Sequence, residues 1–179
     1  MASGDLTLSI LGLLGEGPMH GYELKGRILE LSGHLRPVSD GALYPAITRL
    51  EKAGLVARHE EEGTAAARRQ VLTLTEAGRT ELRRRLAEPA DLDISDQTRF
   101  FGLLAFLDQL PDPAAQARVL RRRLDFLETP AGFFYQDGRP LRAEEVTDPF
   151  RRGMLLVARA TGTAERRWLR ETLAALEAT

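Results

Sequence analysis

The chain has 179 residues, 43% hydrophobic and 28% charged, with no cysteine and a formal net charge of −1. Its length permits one or two domains with a buried core, while the absence of cysteine excludes disulfides and thiolate metal sites. No apolar run nears the ~20 residues of a membrane span, so no membrane partner is expected. The amino terminus lacks the basic-then-apolar order of a secretory signal, which makes the cytoplasm the expected compartment. Residues 1–88 carry as many acidic as basic side chains, so any affinity for nucleic acid must come from where charges sit.

In chain order, residues 6–15 read as a first helix with Leu6, Ile10, Leu13 and Leu14 on one stripe, stopped by Gly15 and Gly17-Pro18. A second helix runs from about His20 to Glu30, with Leu24 and Ile28 inward, and ends at Ser32-Gly33. Ser39 is a good N-cap for a third helix over 39–53, with Gly54 where a left-handed turn is tolerated. Pro45 is awkward inside a helix, which predicts a regular start at Gly41 or Ala42 and places the proline near the first turn. Leu55 to Glu60 and Arg69 to Leu74 read as two strands joined by a loose tip, and Thr75 caps a fourth helix over 76–87. Three helices followed by a two-stranded ribbon is the layout of a winged helix-turn-helix. It sets a helix narrow enough for the DNA major groove beside a ribbon that reaches the flanking backbone.

Residues 88–96 read as a linker between a winged-helix domain (1–88) and a helical domain (95–179). Phe100, Leu103, Leu104 and Leu107 form a stripe in the second domain. Asp112-Pro113 starts a helix through Phe126, and Asp148-Pro149 starts a long one to about Leu176. Residues 129–142 read as an irregular loop. The fold class is mostly α with a small β-wing. The last helix spreads Leu155, Leu156, Trp168, Leu169, Leu173 and Leu176 over more than one face, which implies burial on two sides and a homodimer about a two-fold axis.

On the third helix, Leu43, Ala46, Ile47 and Leu50 cluster on the inward face. The opposite face holds Gly41, Pro45, Thr48 and Lys52, flanked by Tyr44 and Arg49. Ser39, Tyr44, Thr48, Arg49 and Lys52 are therefore candidate DNA contacts, with Tyr44 a phosphate donor and Arg49 or Lys52 reaching backbone or base edges. The plain alternative is a solvated face. Arg68 and Arg69 read either as wing contacts to a phosphate or the minor groove, or as internal partners of Glu60, Glu61 and Glu62. Phe133, Phe134, Tyr135 and Trp168 read either as a pocket for a planar aromatic effector or as core and dimer-interface packing. Arg83 to Arg85 and Arg121 to Arg123 read as solvated helix faces. His20, His34 and His59 form no ligand-spaced pair and no phosphate-cradling glycine loop is present, so neither enzyme, metal nor cofactor is expected. His20 reads as part of a helix-entry turn.

Four stretches carry a resemblance: Leu11-Gly-Leu-Leu, Gly17-Pro-Met-His-Gly-Tyr-Glu-Leu, Ser39 through Gly54, and Leu74-Thr-Glu-Ala-Gly-Arg. Combined at this spacing over residues 6–86, they resemble the PadR family of bacterial transcriptional regulators. The resemblance implies a winged helix joined to a helical dimerisation region, with a recognition-helix tyrosine at Tyr44 and wing arginines at Arg68 and Arg69. Residues 95–179 resemble, more loosely, the longer carboxy-terminal domain of the AphA-like subgroup. Ala42 stands where the family often has Thr or Ser, Thr48 where Lys or Arg is common, and Leu72 where a wing tyrosine is usual. These departures imply weaker or redistributed backbone contacts.

The leading expectation is a sequence-specific DNA-binding regulator, a repressor by family resemblance. It would bind a pseudo-palindromic double-stranded operator as a homodimer through helix 39–53 and wing 55–74. Some relatives in the family bind small aromatic effectors at the dimer interface. The alternative class is a winged-helix protein-interaction module without DNA binding, for which the near-zero charge of residues 1–88 argues.

Overall fold

Leucine spacing builds the first element. In the computed structural model, which describes residues 3–31, 38–61, 69–129, 135–136 and 138–178, helix α1 (Ser3–Glu16) buries Leu6, Ile10, Leu11, Leu13 and Leu14. Buried side chains this close in sequence cover most of the helix circumference, so α1 is enclosed rather than amphipathic. Four other helices of its unit and its sheet pack around it. One close approach uses a glycine: the Phe106 ring lies 2.5 Å from where a Cβ on Gly12 would stand. Gln109 Nε2 donates to the Gly12 carbonyl at 2.9 Å beside it.

Helices α2 (Gly21–Leu31) and α3 (Asp40–Lys52) follow, with Leu24, Ile28, Leu43, Ala46, Ile47 and Leu50 turned inward. Regular helix in α3 begins at Asp40, ahead of the expected start, and Pro45 lies inside it. Pro45 cannot bond the Gly41 carbonyl, but Gly41 is exposed, so that carbonyl stays open to solvent. After α3 the chain reverses at Gly54, whose φ of 70° is the left-handed conformation that favours glycine.

Strands β1 (Met19–His20), β2 (Val56–Glu61) and β3 (Arg69–Leu74) form an antiparallel sheet in the order β1-β3-β2. The sequence predicts only the β2–β3 ribbon. The added strand pairs Met19 with Leu72 and His20 with Val71, which moves His20 out of the second helix and into the sheet. Helix α4 (Glu76–Ala87) begins as expected: the Thr75 hydroxyl accepts from the Gly78 amide at 3.0 Å and donates to the Gly54 carbonyl at 2.7 Å. Gly78 has a packing reason, because a Cβ there would come within 2.1 Å of the Leu55 carbonyl oxygen.

The chain folds as two compact units, Met1–Pro111 and Asp112–Thr179. The segment expected as a linker holds helix α5 (Asp91–Ser95), which with α6 (Gln97–Leu104) belongs to the first unit. Ile94, Phe100, Leu103 and Phe106 are buried there.

The second unit pairs α7 (Pro113–Glu128) with α8 (Pro149–Glu177), and between them β4 (Tyr135–Gln136) pairs with β5 (Arg139–Pro140) inside the stretch expected to be irregular. Both expected caps form: Asp112 accepts from the Ala114 amide at 2.9 Å and Asp148 from the Arg151 amide at 2.7 Å. Val119, Leu120 and Leu124 of α7 and Leu155, Leu169 and Leu173 of α8 supply the core. The reading of Arg121 to Arg123 as a solvated face fails at Arg123, which is 2% exposed. Its guanidinium donates to both carboxylate oxygens of Glu165 at 2.7 and 3.2 Å and lies 5.5 Å from the centre of the Phe126 ring. Burying that charge is tolerable only because a carboxylate faces it. No helix among the described residues is long and apolar enough to cross a membrane.

Candidate nucleic-acid interface

Helix α3 has two unlike faces. While Leu43, Ala46, Ile47 and Leu50 enter the core, Gly41, Ala42, Tyr44, Pro45, Thr48, Arg49 and Lys52 are all exposed. Ser39 precedes them with extended backbone (φ −74°, ψ 151°), and its side chain makes no cap hydrogen bond. That leaves the hydroxyl available to a ligand. Tyr44 is 45% exposed and leans on Gly21, where a Cβ would stand 3.3 Å from its ring. Its hydroxyl, like the Arg49 and Lys52 head groups, has no protein partner among the described residues.

The acidic groups of α3 are engaged. Asp40, in the first turn, pairs with Lys25 of α2 at 2.7 Å. Glu51 receives both Nε and Nη2 of Arg58 at 2.7 and 2.8 Å, and Arg58 Nη1 also donates to Gln70 Oε1 at 2.7 Å. This fork ties the carboxy-terminal end of α3 to β2 and β3, so helix and ribbon are held in one arrangement. With Asp40 and Glu51 neutralised, Arg49 and Lys52 leave the outer face of α3 locally cationic. Glu51 and Arg58 carry no mark of this pairing in the sequence, because residues on either side of a turn share no periodic signal.

On the ribbon, Arg69 stands opposite Glu61 in the β2–β3 register and Gln70 opposite Glu60. Arg68, Glu62 and the side chains of Glu61 and Arg69 lie outside the described residues. Leu72 is buried at 3% exposure between Met19 and Arg58, so this position packs inward. In the second unit Tyr135 is half-buried, Trp168 is 39% exposed, and Phe133 and Phe134 lie outside the described residues. No ring contact joins Tyr135 to Trp168 among the described residues. Nor is there among them a cluster of three metal-ligating side chains.

Helix α8 also has an uncovered face. Phe150, Met154, Val157, Thr161, Ala164 and Trp168 are exposed at alternating spacings of four and three, opposite the buried Leu155, Leu169 and Leu173. That is heptad spacing, the pattern of a seam between helices.

Known proteins resemble this chain in part. An uncharacterised 37.1 kDa protein in transposon TN4556 of Streptomyces fradiae is 32% identical over 139 residues, 74% of this chain and 37% of that protein. The transcriptional regulator YqjI of Escherichia coli is 40% identical over 76 residues, 42% of this chain and 34% of that protein. The chain therefore spans about a third of the length of these curated relatives. Among solved structures, a transcriptional regulator from Clostridium thermocellum is 32% identical, covering 44% of this chain and 76% of its own, with a TM-score of 0.41. Residues 10–84, which span the winged helix, match the transcriptional regulator PadR-like family.

Proposed function

We propose that this chain is a sequence-specific DNA-binding transcriptional regulator, with α3 entering the major groove and the β2–β3 ribbon meeting the flanking backbone. One observation carries the reading: the outer face of α3 presents Tyr44, Thr48, Arg49 and Lys52 while its neighbouring acids are paired internally. Hydroxyl and cationic donors on one exposed helix face suit phosphate oxygens and purine edges. A near-zero total charge is compatible with this, because the cationic surface is local.

The reading includes a homodimer. DNA binding belongs to residues 1–88 and assembly to the helices of 95–179, where the exposed heptad seam of α8 is the surface for a second copy. Trp168 lies on that seam, which favours interface packing over an effector pocket for this residue. Two recognition helices about 34 Å apart would read a pseudo-palindromic operator. A dimer so placed on a promoter would repress by excluding polymerase.

Selection of bound sequences from random DNA tests the reading, followed by titration of the selected site at several salt concentrations. The expected outcome is a palindromic consensus with a steep loss of affinity as salt rises. Absence of any selected sequence and of salt-dependent binding would instead make the winged helix a protein-interaction module.

A further inference from the structure

The residues just before α2 extend the same surface. β1 ends at His20 and α2 starts at Gly21, which sets the rings of His20 and Tyr22 side by side, 5.6 Å between centroids and 10° between planes. His20 Nδ1 lies 3.1 Å from the Gln70 carbonyl oxygen. A carbonyl only accepts, so Nδ1 carries the proton and the imidazole is held against the sheet. Tyr22 is 70% exposed, steadied by that ring, and its hydroxyl has no protein partner among the described residues. Tyr44 lies on the other side of Gly21, which has no Cβ to push it away. Together His20, Tyr22, Tyr44, Arg58 and Gln70 line an open cleft of ≈ 400 Å³, continuous with the outer face of α3.

We propose that this cleft seats one sugar–phosphate unit of the bound DNA strand, with Tyr22 donating to a phosphate oxygen and the sugar against the aromatic rings. The proposal rests on the DNA-binding reading above. Its chemistry follows from the lining: the polar tips of Tyr22 and Tyr44 are neutral hydroxyls on apolar rings, and the Arg58 charge is already matched by Glu51. A free anion would need an unmatched cation. A phosphodiester already held by the rest of the interface needs only neutral donors and an apolar rest for its sugar. Rigid aromatic donors also lose little conformational freedom on contact. His20 acts as a positioning residue, holding Tyr22 toward the strand.

The test uses DNA sites from the selection and the variants Tyr22→Phe and Tyr22→Ala. Tyr22→Phe retains the stacked ring, so folding is preserved and only the donor is lost. Affinity is expected to fall about tenfold or more, the scale of a hydrogen bond to a charged acceptor. The loss should be equal on the selected site and on unrelated DNA, because phosphate contacts carry no sequence information. Ethylation of one phosphate, which weakens the wild-type complex, should no longer weaken the Tyr22→Phe complex. Wild-type affinity in both variants, or a loss confined to the selected site, overturns the proposal. Failure of the wild-type protein to bind any DNA would overturn the DNA-binding reading itself, and this contact with it.

Discussion

Helices α3 and α8 bury one stripe each and differ in what they leave outside. The outer face of α3 is small, polar and cationic, with Arg49, Lys52 and the Tyr44 hydroxyl unpaired among the described residues. The outer face of α8 carries Phe150, Met154, Val157 and Trp168 at heptad spacing. Water solvates the first at no cost, and the second exposes apolar area that another apolar surface would cover favourably. The same construction, an amphipathic helix on a core, thus presents a polar surface in one unit and an apolar seam in the other.

That contrast can be broken most severely at the seam. Val157→Glu with Trp168→Glu is expected to give a monomer in sedimentation at micromolar concentration. Affinity for a full palindrome should then fall by ~10²–10⁴ while a single half-site binds as before. A dimer that survives both charges would remove α8 from the interface.

The next largest effect concerns what lies beneath each face. Glu165→Ala removes the carboxylate facing a guanidinium that is 2% exposed. We expect a loss of about 3–5 kcal/mol in urea unfolding of that unit. Asp40→Ala, at the exposed pair with Lys25, should cost no more than about 1 kcal/mol in urea unfolding of the first unit.

On the polar face, Tyr44→Phe should weaken DNA binding by about 1.5–3 kcal/mol and leave the melting temperature nearly unchanged. Equal affinity of the two proteins would take Tyr44 out of the interface. The double change Arg68→Ala with Arg69→Ala should weaken binding to all sequences alike and lower the salt slope by up to about two phosphates' worth. An unchanged slope would mean that these arginines serve only the acids across the ribbon.

The smallest effect lies in α4. The hydrogen bond from Arg84 and the nearby charge of Arg85 hold the Glu81 carboxyl down to about 2, from an ordinary 4.5. Because the folded value is the lower one, this stabilisation is present above the ordinary carboxylate range and is lost as pH falls from 4.5 toward about 2. Glu81→Gln should therefore lower the melting temperature slightly at neutral pH, and the difference should vanish near the acid end of that window.

Much of this was legible residue by residue. Thr75, Asp112 and Asp148 cap the helices that their positions predict, because a cap is a bond between residues two or three apart. The two faces of α3 follow from helical period alone. Strand β1 was not legible: two residues hold no alternation, and only the β3 edge makes Met19 and His20 a strand. The Arg121 to Arg123 run misled for a related reason. Its composition suggests solvent, and only the α7–α8 packing turns one of the three arginines inward.

The sequence by itself determined the order of the longer helices and of the β2–β3 ribbon, the caps of α4, α7 and α8, and the inward stripes of α2 and α3, since these rest on interactions within a turn or a strand. Tertiary structure decided which charges are matched among the described residues. Arg58 meets Glu51 across a turn, Arg123 meets Glu165 at a separation of 42 residues, and His20 is oriented by a carbonyl 50 residues away. Pairings at such distances are set by how faces pack rather than by any local pattern. They determine that Arg49, Lys52, Tyr44 and Tyr22 remain available at the surface.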